Sequence, residues 1–104
     1  KETAILRRKV PDLDGVVATE LSAMAARLRQ EPLRKPPGAA ETIDWARAVA
    51  SLGDGDANGH LSAETVRNTL GCLLKEVEDV ERVDDDLLEE LLDAAERATA
   101  GGGP

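Results

Sequence analysis

The chain is poor in aromatic residues, in cysteine and in long apolar runs, and its cations are outnumbered by acids; each shortage excludes a class of protein. Trp45 is the only aromatic side chain among 104 residues. Sheets draw on aromatic and β-branched residues, whereas the Ala and Leu abundant here favour helices. The single cysteine, Cys72, cannot close an internal disulfide, so nothing speaks for an oxidising compartment. Between Leu70 and Leu73 it reads as a small buried residue. No stretch approaches the ~20 apolar residues that cross a bilayer, and no signal peptide is recognisable. A cytoplasmic location follows as the expectation. The chain opens at Lys1 directly into a charged helical pattern, as expected of a piece cut from a longer protein.

A net charge of −8 argues against nucleic acid as partner, because that affinity comes largely from neutralising phosphates. It argues equally against an anionic membrane surface. The acidity is uneven. Arg7, Arg8, Lys9, Arg27, Arg29, Arg34 and Lys35 lie in the first half, and the stretch from Glu76 to Glu96 is strongly negative. Such a run is read first as a solvated helix face.

Catalytic signatures are missing as well. There is no G-x-x-x-x-G-K-[ST] phosphate loop, and Gly101–Gly103 leads to the C-terminus rather than into a helix. No nucleophile elbow occurs, nor any Ser–His or Cys–His set that could form a triad. His60, the only histidine, has no Cys or His companions for a zinc site. Alone, the chain is expected to catalyse nothing.

What is present is helical periodicity. A chain of this length forms one domain and hides roughly two thirds of its unfolded surface. A short first helix spans about Glu2 to Arg8 and ends before Val10-Pro11, since the residue ahead of proline avoids helical geometry. A second opens at Asp14, a good N-cap. It sets Val17, Leu21, Met24 and Leu28 on one buried stripe, and it stops before Pro32. Pro36-Pro37-Gly38 makes a stiff, non-helical junction. The third helix runs from about Ala39 to Leu52, with Trp45, Val49 and Leu52 on one face and Gly53 as C-cap. Trp45 is a core anchor or a partner hot spot; apolar neighbours at i+4 and i+7 favour the core.

The fourth helix starts at the N-cap Ser62, with Leu61 and Val66 as a hydrophobic staple. Its stripe is Val66, Leu70, Leu73, Val77 and Val80, and Gly71 within it hints at close packing, since glycine there weakens the helix by about 1 kcal/mol. The fifth is capped by Asp84, stapled by Val83 and Leu88, and buries Leu88, Leu91, Leu92 and Ala95. The expected fold is all-α: an antiparallel bundle of four main helices plus a short leading one. It occupies residues 1–100, with residues 101–104 as a flexible tail.

One segment reads like the beginning of an EF-hand calcium loop. Asp54, Asp56 and Asn58 fall at loop positions 1, 3 and 5, with Gly59 at position 6 and Leu61 at position 8. Position 12, which should be a bidentate glutamate, is Thr65, and Glu64 comes one place early. One helical step turns a carboxylate by ~100° away from the site. No second loop exists to pair with it. The favoured reading is a surface turn whose Asp, Asn and Gly satisfy turn geometry; a weak calcium site is the alternative.

Two runs carry more information than any motif. They are Lys35-Pro-Pro-Gly-Ala-Ala-Glu-Thr-Ile-Asp-Trp-Ala-Arg-Ala-Val49 and Thr65-Val-Arg-Asn-Thr-Leu-Gly-Cys-Leu-Leu-Lys-Glu-Val-Glu-Asp-Val80. With Val10-Pro11-Asp12-Leu13 and Ala26-Arg27-Leu28-Arg29, they resemble the small helical C-terminal lid subdomain of MoxR-type AAA-plus ATPases of bacteria. The resemblance covers most of residues 1–98. It implies a lid packed over ATP and magnesium held by a preceding α/β ATPase domain of the same chain. It also implies a ring-forming homo-oligomer, chaperone-like work on enzyme complexes, and partner proteins with von Willebrand factor A domains.

Such lids commonly offer an arginine to the γ-phosphate near the start of the third helix. Here that region reads Gly38-Ala39-Ala40-Glu41. The cations nearest in sequence are Arg34 and Lys35 just before it and Arg47 two turns into the helix, so these three are the nucleotide-proximal candidates. Two other readings compete: a calcium-responsive module at residues 54–65, and a helical interaction domain with no ligand. An ATPase domain upstream would favour the lid over both.

Overall fold

A computed structural model of the chain describes residues 2–52 and 61–100. Six helices follow one another: α1 (Glu2–Lys9), α2 (Gly15–Leu28), α3 (Ala39–Ser51), α4 (Ala63–Leu73), α5 (Val77–Arg82) and α6 (Asp85–Ala100). No strand occurs among the described residues, and the protein is an all-α bundle. The four main helices are α2, α3, α4 and α6. In the bundle α2 packs most extensively on α6 and α3 on α4, and α1 lies against α2 and α3.

Local chemistry explains the helix starts. The Asp14 carboxylate accepts from the backbone N–H of Val16 at 2.8 Å, satisfying a donor that the first turn of α2 leaves free. Ser62 Oγ accepts from Thr65 N at 3.1 Å at the start of α4, and Asp84 Oδ1 accepts from Leu87 N at 2.9 Å ahead of α6. The staple residues Leu61, Val66, Val83 and Leu88 are all buried.

The core follows the stripes. Val17, Leu21, Met24 and Leu28 of α2 are buried, as are Val66, Leu70 and Leu73 of α4 and Leu88, Leu91 and Ala95 of α6. Trp45 is fully buried at 0% exposure, so the bundle closes around it and it offers no surface hot spot. Its Nε1–H donates to Thr69 Oγ1 at 2.7 Å, and the Thr69 hydroxyl donates onward to the Thr65 carbonyl at 2.7 Å. The indole therefore buries its apolar body without orphaning its one donor.

Five expectations are corrected. The fourth helix does not run through to Val80: it ends at Leu73, Leu74 and Glu76 take extended backbone angles, and α5 begins anew at Val77. Val77 is accordingly 69% exposed rather than buried, and Val80 is only partly buried. Redirecting the chain here lets Asp79 reach the 34–35 backbone, as described below. Leu52 is 56% exposed, because α3 ends at Ser51 and its last turn leaves the core. Gly71 packs against nothing; a Cβ there would meet no atom within 4 Å. Cys72 and Leu92 are only partly buried. Leu6, Val10, Leu13 and Leu87 join the core beyond the stripes read from sequence. Gly53, the turn carrying Asp54, Asp56 and Asn58, His60 and residues 101–104 lie outside the described residues.

Candidate functional site

The segment from Pro32 to Gly38 joins α2 to α3, and its prolines deny it helical hydrogen bonds. Its backbone groups find partners elsewhere, which decides its position. The Asp79 side chain, 1% exposed, accepts from Arg34 N at 2.8 Å through Oδ1 and from Lys35 N at 2.9 Å through Oδ2. A carboxylate taking two backbone N–H groups is a charge-assisted clamp, stronger than a pair of neutral bonds. At the far end, Arg29 Nε–H donates to the Pro37 carbonyl at 2.8 Å.

With the backbone held from both sides, the side chains of Arg34 and Lys35 project outward and are exposed. Arg34 makes one loose ion pair, Nε to Glu76 Oε1 at 3.8 Å, and remains 67% exposed. Beside them α3 begins. Gly38 has no side chain to cap it, so Glu41 Oε1 accepts from Gly38 N at 2.8 Å and fills half of a capping box. The Gly38 N–H bond chiefly, then the residue's own backbone N–H and the positive charges of Lys35 and Lys75, hold the Glu41 carboxyl below its ordinary range.

Lys75 is the member that sequence reasoning missed. It belongs to the Leu74–Glu76 connection, where its ammonium donates to the Cys72 carbonyl at 3.1 Å. Only the break between α4 and α5 releases it from a helix face, and that break was the unexpected feature of the fold. Lys35 and Lys75 both act on the Glu41 carboxyl, so with Arg34 the rim at the start of α3 carries three cations beside the carboxylates of Glu41 and Glu76.

Arg47 is not part of this rim. Eight residues into α3, it stands about 12 Å along the axis from Ala39. It lines an open groove of about 320 Å³ with Lys9, Pro11, Asp12 and Ser51, at the turn between α1 and α2. The structure therefore brings Arg34 and Lys35 together and sets Arg47 apart.

Chemically, the loop presents exposed positive charge beside a helix start that the Glu41 carboxylate already caps. It presents no nucleophile beside a base. Among the described residues, no cluster of three or more His, Cys, Asp or Glu side chains is placed to hold a metal ion. No described helix is long and apolar enough to cross a membrane. Comparison with known protein families, with curated proteins and with solved structures finds no match to this chain.

Proposed function

We propose that the chain is the helical lid of a bacterial, cytoplasmic MoxR-type AAA-plus ATPase, an energy-transducing subdomain rather than an enzyme in itself. The observation that carries this reading is the meeting of the two runs that resemble such lids. Residues 35–49 supply the cationic loop and α3, residues 65–80 supply α4 and most of α5, and Asp79 of the second run bonds the loop of the first. A lid needs a rigid edge facing the nucleotide, and this contact makes one.

On this reading ATP and magnesium are held by an α/β domain preceding Lys1, and Arg34 and Lys35 approach the phosphates from the lid side. The start of α3 carries no arginine, so the lid acts on the phosphates through lysine and arginine side chains that precede the helix. The parent protein forms a ring and works, chaperone-like, with a partner carrying a von Willebrand factor A domain.

The sequence upstream of Lys1 is the direct test. A phosphate-binding loop and a Walker B acidic segment are expected within one α/β domain length, and their absence would refute the proposal. The isolated chain should show no saturable ATP binding by calorimetry at micromolar concentration, because the phosphate-binding loop supplies most of the affinity. In the parent protein, Arg34→Ala with Lys35→Ala should lower ATP turnover without altering the lid's own unfolding midpoint.

A further inference from the structure

Arg29 follows the last residue of α2 as its C-cap, yet its guanidinium faces three other segments. Nη1 donates to Glu2 Oε1 at 3.0 Å and Nη2 to Glu2 Oε2 at 2.7 Å. Nη2 also donates to Thr42 Oγ1 at 3.1 Å, and Nε to the Pro37 carbonyl at 2.8 Å. Four of the five guanidinium N–H groups are thereby used, in the planar fork that suits a carboxylate. The partners come from α1, from the loop carrying Arg34 and Lys35, and from the first turn of α3.

We infer that Arg29 is the positioning residue of the cationic rim, and that through Glu2 it couples the rim to the position of α1. The leading helix has eight residues and buries only Leu6, so the Glu2–Arg29 pair is a large part of what seats its first turn. When α1 shifts, either the pair breaks or Arg29 moves with it. If Arg29 moves, the Pro37 carbonyl and Thr42 lose their donors. The loop then keeps Asp79 at its Arg34–Lys35 end and Gly38 keeps its bonds within the first turn of α3, but the tie from Pro37 back to α2 is lost. Movement of whatever precedes α1 thus reaches the rim through one side chain rather than through the core.

The consequence for sensing nucleotide rests on the lid reading; the coupling itself is a property of this chain without ligand. Amide hydrogen exchange on the 104-residue chain tests it, in Glu2→Gln and in Arg29→Lys. Glu2→Gln should speed exchange at the Gly38 amide about tenfold, the loss of roughly one hydrogen bond's worth of local stability. Exchange at Leu88 and Leu91 in α6 should stay within about twofold of the parent chain. Arg29→Lys keeps the charge but loses the fork, so it should loosen Gly38 as much while leaving α1 partly paired to position 29 through Glu2. A merely structural pair would raise exchange in α6 and in the loop together, and that result overturns the inference. So does unchanged exchange at Gly38 in Glu2→Gln, which replaces a partly exposed side chain in the first turn and retains the fold even where Arg29→Lys does not. No nucleotide is present in the experiment, so its failure leaves the ATPase proposal standing, and failure of the upstream-sequence test leaves the coupling standing.

Discussion

Asp79→Ala should be the most destabilising polar substitution in this protein. The side chain is 1% exposed, and each carboxylate oxygen accepts one backbone N–H, from Arg34 and from Lys35. Truncation removes both acceptors at once. A donor left without a partner in a partly buried setting costs about 1–3 kcal/mol, so two of them together cost roughly 2–5 kcal/mol, with a small further loss for the space vacated. That is a large share of the 5–15 kcal/mol by which such domains are stable. It corresponds to a fall in midpoint of at least ~8 °C, taking roughly 4–8 °C per kcal/mol. Asp79→Asn separates the acceptors from mere packing. Its amide keeps one oxygen and turns an NH₂ toward the other N–H, so its loss should be about half or more of the alanine loss. Urea denaturation followed by Trp45 fluorescence reads both, since Trp45 is the only aromatic residue and sits in the core. A loss below about 1 kcal/mol in Asp79→Ala would refute the reasoning, as would an asparagine variant less stable than the alanine one.

Thr69→Val should cost about 1–3 kcal/mol by leaving the buried Trp45 indole N–H without its acceptor, and it should change the tryptophan emission even where the fold persists. Gly71→Ala should stabilise the protein by up to ~1 kcal/mol, because the added Cβ meets nothing within 4 Å; any loss in thermal midpoint would show close packing at that position after all. Stability should also depend on pH through Glu2, whose carboxyl is held below its ordinary value of 4.5 mainly by hydrogen bonds from Arg29, with burial opposing. A depressed carboxylate contributes stability that is present above its unfolded pKa and lost as pH falls through the folded one. Glu2→Gln should therefore be less stable than the parent chain at neutral pH, and the gap should close on acidification below pH ~4. A gap that persists unchanged at pH ~2 would place the contribution of Glu2 in packing instead.

Most of the fold was legible because its signals are local. Asp14, Ser62 and Asp84 cap helices through bonds to residues two or three positions away, and the stripe of α2 is a plain helical period. The break after Leu73 was not legible. Val77 and Val80 continue the period of Leu70 and Leu73, and no Gly or Pro between residues 73 and 77 marks a stop. What ends the helix is tertiary: Asp79 bonds a backbone segment 44 and 45 positions earlier in the chain, and a continuous helix would have to carry it elsewhere. The buried Leu6 and the Arg29–Glu2 pair, 27 residues apart, escaped for the same reason.

The same division explains why the candidate site was only half legible. Arg34 and Lys35 are surface cations of a kind any helical protein carries, and no spacing rule distinguishes them from Arg47, which the fold sends to a different groove. Their distinction lies in the backbone beneath them, held by Asp79 at one end and by Arg29 at the other. Asp79 lies inside the second of the two informative runs, and Arg29 closes the Ala26–Arg29 stretch that fits the same lid pattern. Asp79 and Arg29 thus fix where the loop stands, and the exposed side chains of Arg34 and Lys35 take no part in holding it. On the proposed lid reading, the missing arginine at the start of α3 is no contradiction, because Asp79 and Arg29 fix the loop and the exposed Arg34 and Lys35 carry the charge at its edge.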